Sequence, residues 1–306
     1  MTIRSFAVAL AMALVAVGTT ACSTGSTRDD SATATASPAP SATPVDVSAD
    51  LRALEAEFDA RVGVSAVDTG SGAAITHRAD ERFGYASTIK ALAAAEFLHD
   101  VPVDQRDEIV TWSADDVEAA GYSPVTSQHV DGGLPLSELA EAAVRTSDNT
   151  ALNLVLDRIG GPTALDEGLT ELGDDTTEVV DDEPALNVIE AGSTDDTSTP
   201  AAFTADLARI LEGDRLTEED RATLLDWMSG NATGDALIRA GTPSGWVVAD
   251  KSGGAGGTRN DLAVVTPPGR APIVVTVFTS RNDPEREYDD SLVARTAEIV
   301  LRGLQQ

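Results

Sequence analysis

The chain has 306 residues, 42% hydrophobic and 24% charged, enough for one large globular domain or two modest ones with a substantial core. Its 51 acidic residues outnumber 21 basic ones, and the net charge of −30 argues against nucleic acid or an anionic membrane face as a partner. A single cysteine excludes an internal disulfide and a cysteine-based metal site, and His77, His99 and His129 fall in no metal-ligand spacing.

Residues 1–21 read as an export signal: Arg4, the apolar run Phe6 to Val17, then small residues. The run is too short to span a membrane in its own right. It ends in Thr19-Thr20-Ala21-Cys22, which resembles a bacterial lipobox with threonine where leucine is usual. That resemblance implies cleavage before Cys22 and lipidation of it. The expected location is then the outer face of the cytoplasmic membrane, held by a lipid anchor, with ordinary secretion as the alternative. The remainder of residues 22–47 is almost all Ser, Thr, Ala, Pro and Asp, a composition suited to a disordered tether. Residues 48–306 are the expected folded domain.

Within that domain, Asp50–Arg61 has helical spacing, with Leu51, Leu54 and Phe58 on one side. Val62–Val67 and Ala73–His77 read as strands joined by the turn-prone Asp68-Thr69-Gly70-Ser71-Gly72. From Ser87 to about Trp227 the pattern is mostly helical with long acidic loops. Strand patterns return at Trp246–Lys251, Leu262–Thr266 and Ile273–Thr279, before an amphipathic helix from about Asp289 to Leu304. Strands at both ends with helices between predict an α+β fold whose sheet is completed by distant segments.

Only two of the 21 basic residues are lysines, Lys90 and Lys251. Arginine stays protonated in proteins, whereas a buried lysine can lose its proton, so these two positions are candidates for a titratable amine. Lys90 stands three residues after Ser87 at the start of an alanine-rich helix, which puts both side chains on one face. A desolvated amine beside a hydroxyl can activate it, and a helix N-terminus suits a developing oxyanion. Serine–x–x–lysine alone is a weak signal, equally compatible with an N-cap and a solvated lysine. Ser147-Asp148-Asn149 and Asp250-Lys251-Ser252-Gly253 follow in order, the last after a strand-like Trp246–Ala249.

With these three elements the chain resembles the class A serine β-lactamases and their penicillin-binding relatives, serine standing for the usual threonine after Lys251. Similar segments run from Asp50 to the C-terminus, among them Tyr122-Ser123-Pro124-Val125-Thr126, Asn231-Ala232-Thr233-Gly234 and Gly257 to Val264. Glu183-Pro184-Ala185-Leu186-Asn187 matches the glutamate–x–x–leucine–asparagine of the class A omega loop, which penicillin-binding D,D-peptidases lack.

The resemblance implies an antiparallel sheet flanked by helices plus a mostly helical subdomain, and hydrolysis of penicillin- or cephalosporin-type β-lactams without metal or organic cofactor. It makes Ser87 the nucleophile, with its own N–H and that of Gly254 as the oxyanion hole. Lys90 and Glu183 would share proton management, Glu183 would activate the deacylating water with Asn187, and Ser147 would relay a proton to the ring nitrogen. Asn149 would hold the substrate's acylamido group, Lys251, Ser252 and Arg259 its carboxylate, and Tyr122 would wall the cleft. A monomer is expected. A D,D-peptidase or a non-hydrolytic β-lactam-binding lipoprotein are the alternatives.

One departure stands out. In many class A enzymes an arginine two residues before the omega-loop glutamate pairs with an aspartate near the loop's end; here those positions are Asp181 and Asp196. No basic residue occurs between Arg158 and Arg209. Two expectations follow: acids crowd Glu183, and the loop is looser for want of its ion pair.

Overall fold

The computed structural model describes residues 46–283 and 285–305; the export signal, Cys22 and nearly all of the tether lie outside them. The chain enters through helix α1 (Ser48–Phe58), which stops where Asp59 turns left-handed at φ 49° and redirects the backbone into strand β1 (Ala60–Asp68). The helix is therefore shorter than the Asp50–Arg61 pattern predicts at its C-terminal end: Ala60 and Arg61 belong to the strand. After β2 (Ala74–His77) and the short β3 (Phe83–Gly84), a single 3-10 turn, Ala86–Thr88, leads into α2 (Ile89–Asp100).

The helical part continues through β4 (Ile109–Val110), α3 (Ala114–Ala120), β5 (Leu134–Pro135), α4 (Leu136–Arg145), α5 (Asn149–Ile159) and α6 (Pro162–Leu172). Beyond β6 (Thr197–Ser198) come α7 (Pro200–Glu212), α8 (Glu218–Ser229) and the single turn α9 (Ile238–Gly241). Three long strands, β7 (Val247–Ala255), β8 (Thr258–Thr266) and β9 (Ile273–Arg281), and helix α10 (Asp290–Gly303) complete the fold.

The main sheet is antiparallel throughout, in the order β2-β1-β9-β8-β7. The N-terminal hairpin thus pairs with the last strand, Val64 opposite Val277 and Ala66 opposite Val275. Helices α1 and α10 cover one face, where Leu51, Leu54, Val293, Ala297 and Val300 pack against Val62, Val64 and Val275 in one core. The other face meets α7 and the helical subdomain through Phe83, Phe203, Phe278 and Val274. The α+β architecture expected from sequence is the one observed.

Helix α2 is buried on all sides from Ile89 to Leu98, as befits a helix apolar around its circumference. Its alanines let neighbouring helices and the sheet approach closely, and so fix where its N-terminus points. Strands β7 and β8 run further than their apolar patterns suggest. The extra residues, Ser252–Ala255 and Thr258–Asp261, are polar or small, and Ser252, Gly253, Gly254 and Arg259 among them line a cleft rather than a core.

Candidate active site

A cleft of about 450 Å³ opens where the N-terminus of α2, the edge strand β7, the α4–α5 junction and the 182–188 segment meet. Its lining brings together Ser87, Tyr122, Ser147, Asn149, Glu183, Asn187, Ser252, Gly254 and Arg259, all predicted from sequence, and adds Thr233, Gly253 and Tyr288. The two lysines do not line it. Both are fully buried directly beneath.

Two backbone distortions aim the serines. Ala86, just before Ser87, has φ 48°, and Ser147 itself has φ 59°. Left-handed conformations of this kind cost on the order of 1–3 kcal/mol each and persist only where surrounding contacts impose them. At Ser147 the constraint is Asp148, whose carboxylate caps α5 at Ala151 N–H (2.9 Å) and accepts from Val125 N–H, Thr126 N–H (both 2.9 Å) and Thr126 Oγ1 (2.8 Å). At Ser87, strand β7 presses close: a Cβ on Gly253 would meet Ser87 N, Thr88 N and Tyr85 O at 3.0–3.1 Å, so only glycine leaves this approach open.

Lys90 Nζ is the hub. It lies 2.9 Å from Ser87 Oγ, 2.8 Å from Glu183 Oε1, 2.6 Å from Asn149 Oδ1, 2.9 Å from Ser147 O and 3.5 Å from Ser147 Oγ. An ammonium has three protons to give, so the choice among these acceptors moves with charge in the site. Burial pushes the Lys90 amine below the ordinary lysine range, and the Glu183 carboxylate opposes that shift. Ser87 Oγ in turn donates to Glu183 Oε1 at 3.2 Å.

Glu183 is 3% exposed and is clamped along its backbone by Asn153 of α5, which accepts from Glu183 N–H (2.9 Å) and donates to its carbonyl (2.8 Å). Asn187 Nδ2 donates to Glu183 Oε2 at 2.6 Å, while the buried Asn187 Oδ1 has no partner among the described residues. The charged group in contact with Glu183 is a cation, Lys90, and Asp181 and Asp182 are exposed, so the expected crowding by acids is corrected.

Lys251 Nζ donates to Ser147 Oγ (3.1 Å) and to Ser252 O (2.7 Å). Burial, with Lys90 nearby, brings its amine down to about 7. Ser252 Oγ shares a 2.6 Å hydrogen bond with Thr233 Oγ1. Arg259 is steered by Asp290 (2.7 Å) and by stacking on the Tyr288 ring, 4.8 Å from its centroid. Asn149 Nδ2 donates to Ala120 O at 2.9 Å, so its amide is tied into the wall on one side and to Lys90 on the other.

The omega segment has a replacement for its missing ion pair, contrary to the expectation of a looser loop. Asp196 Oδ1 accepts from Tyr85 Oη (2.7 Å), Val180 N–H and Asp181 N–H (both 3.1 Å). Arg82, outside the cation-free interval, donates to Thr176 O (2.5 Å), Thr197 O (3.2 Å) and Thr197 Oγ1 (2.9 Å). Asp174 caps Thr176 N–H (2.7 Å) and Thr177 N–H (3.1 Å).

Sequence reasoning assigned no role to Asn153, Tyr288, Arg82 or Tyr85. For Asn153 a signal existed: it stands one helical turn after Asn149 and so shares its face. Tyr288 lies in an irregular polar stretch without periodicity.

Residues 46–304 match the model of the β-lactamase enzyme family. The chain is 49% identical over 270 residues to a β-lactamase of Amycolatopsis lactamdurans, covering 87% of this chain and 89% of that protein. It is 45% identical over 256 residues to one of Bacillus licheniformis, with 83% of each covered. Among solved structures it is similar to a class A β-lactamase from Clostridium kluyveri DSM 555 (TM-score 0.82, 41% identity, 84% of this chain and 98% of that one). The β-lactamase from Streptomyces albus G is as similar in shape (TM-score 0.82, 39% identity, 84% and 99% covered). A serine, a buried amine and a buried carboxylate around one hydroxyl, in a chain with these likenesses, have one reading: the chain belongs to the class A serine β-lactamases and hydrolyses β-lactams.

Proposed function

We propose that hydrolysis proceeds through an acyl-enzyme on Ser87, with each cleft residue acting as follows. Ser87 Oγ attacks the β-lactam carbonyl while its proton passes to the Lys90–Glu183 pair, and the N–H groups of Ser87 and Gly254 receive the oxyanion. As the ring C–N bond breaks, Ser147 Oγ delivers a proton to the nitrogen, resupplied by the lysines on either side of it. Ser252, Thr233 and Arg259 meet the substrate carboxylate, and Lys251 contributes its charge from beneath. Asn149 and Tyr122 border the acylamido side.

In the second half, a water held between Glu183 and Asn187 attacks the ester, Glu183 takes its proton, and Ser87 Oγ leaves and is reprotonated. The observation carrying this reading is that one carboxylate oxygen of Glu183 lies within 3.2 Å of Ser87 Oγ and 2.8 Å of Lys90 Nζ. The test is a soluble fragment comprising residues 48–306 mixed with a chromogenic cephalosporin. Steady turnover is expected, Glu183→Ala should accumulate a covalent adduct by intact mass, and Ser87→Ala should form none. An adduct on Ser87→Ala would overturn the assignment of the nucleophile.

The same reading makes the protein an exported lipoprotein: signal 1–21, lipidated Cys22 and tether to residue 47, catalytic domain 48–306, acting as a monomer. The lone cysteine at the end of the apolar run supports it. Cys22→Ser should release the enzyme from membranes into the medium and abolish incorporation of labelled fatty acid. Unchanged membrane retention would count against it.

A further inference from the structure

Tyr85 precedes the nucleophile by two residues and is fully buried, a large polar side chain that the chemistry above does not use. Its main chain belongs to the nucleophile's own turn: the carbonyl accepts from Thr88 Oγ1 (2.6 Å) and from Asn260 Nδ2 of β8 (3.1 Å). Its ring stacks on Phe203 of α7, centroids 5.9 Å apart and planes 21° apart, so the phenol is rigidly presented. The hydroxyl reaches the far end of the omega segment, 2.7 Å from Asp196 Oδ1 and 3.4 Å from the carbonyl of Glu178.

Asp196 is 2% exposed, and Oδ1 is the oxygen that receives Val180 N–H and Asp181 N–H, the backbone leading directly into Glu183. A buried carboxylate needs donors, and no arginine or lysine lies within ion-pair distance of this one among the described residues. The neighbouring side chain, Asp181, is another acid, exposed at the surface, whose carboxyl is held above its usual range by partial loss of hydration against the loop and by Asp196. Among side chains the phenol is the neutral donor that this carboxylate has.

We infer that Tyr85 is a positioning residue for deacylation, its hydroxyl latching Asp196 and thereby tying the turn that carries the nucleophile to the loop that carries Glu183. The latch is a neutral substitute for an ion pair. The hydroxyl adds a side-chain hydrogen bond to the backbone one from Tyr85 N–H to the Asp196 carbonyl (3.4 Å), and it is the one that holds the carboxylate receiving Val180 and Asp181 N–H. The inference rests on Glu183 being the deacylating base.

The test is Tyr85→Phe, which keeps the ring and its stacking and removes only the hydroxyl. Expected are a fall in kcat of roughly tenfold or more, a parallel fall in KM, acyl-enzyme accumulating by intact mass, and a burst of acylation at the parent rate. Asp181→Arg in the Tyr85→Phe background places a cation beside Asp196 and should restore most of kcat. Parental kcat in Tyr85→Phe overturns the inference. So does a loss of acylation rate without adduct, or a double variant no faster than the single one. If Tyr85→Phe does not fold, the double variant decides: recovery of folded, turning-over enzyme supports the latch, and its failure overturns it. Glu183→Ala run alongside separates the two claims, since absence of adduct there would fault the base assignment instead.

Discussion

Replacing Asn153 by alanine would remove both clamps on the backbone of Glu183, accepted and donated at 2.9 and 2.8 Å, without touching any atom that meets substrate. A buried backbone group left without a partner costs about 1–3 kcal/mol. The site is part-buried beside an open cleft, so water can re-pair these groups in part, and the lower end applies: about 2 kcal/mol for the two together. These contacts hold the carboxylate where the deacylation transition state needs it, so at about 1.4 kcal/mol per factor of ten their loss from that barrier is worth roughly thirtyfold in rate. Acylation retains Lys90 beside Ser87 Oγ, whereas deacylation depends on the seated carboxylate. Stopped-flow acylation, steady-state kinetics and intact mass on a chromogenic cephalosporin should therefore show kcat falling roughly ten- to thirtyfold. KM should fall with it, kcat/KM should move by less than about threefold, and the covalent adduct should become visible. A kcat within twofold of the parent would refute the clamp, as would a large loss of kcat/KM with no adduct.

Glu183→Gln removes the carboxylate that opposes the effect of burial on Lys90, so the Lys90 amine should titrate still lower, followed by NMR of the labelled lysine; an upward shift would contradict the proximity argument. Lys251, brought down to about 7, should carry its charge to fewer molecules as pH rises, so kcat/KM for carboxylate-bearing substrates should fall roughly tenfold per unit above that point. Lys251→Arg should remove this alkaline limb, and a flat profile to pH 9 in the parent would exclude it. Asp206 on α7 is raised to about 9 by burial and by the facing Asp174. Its contribution to stability is intact below the unfolded carboxylate range near pH 4 and is lost as pH climbs toward 9. Asp206→Asn should therefore match the parent near pH 4 and exceed it at pH 8 by several kcal/mol, about 1.4 kcal/mol for each pH unit crossed, with Tm rising accordingly in thermal melts across that range.

Ser87, Lys90, Ser147, Lys251 and Glu183 could be singled out because each sits in a short local motif that resembles a class A one, namely Ser87 to Lys90, Ser147 to Asn149, Lys251 to Gly253 and Glu183 to Asn187, and the structure gathers all five at one cleft. The N-terminal hairpin and the last strand were legible as short runs of β-branched and apolar residues bounded by turn residues, as expected of strands buried on both faces. The cleft ends of β7 and β8 were not, since a strand that faces solvent-filled space carries glycine and hydroxyl residues instead of an apolar stripe. The departure at Asp181 and Asp196 was visible, but its remedy was not. Tyr85 and Arg82 supply it from 111 and 94–115 residues away, against one carboxylate and a set of backbone carbonyls, and pairings of that kind leave no periodic trace.

The strand order has a consequence for how the polypeptide comes into being. The middle of the sheet is β9, synthesised nearly last, and β1, made early, has no inner neighbour until it arrives. A growing chain therefore cannot close its hydrophobic interior before residue 281 has left the ribosome. The seam between β1 and β9 is thus the last part of the sheet to form, and it joins the two ends of the folded domain.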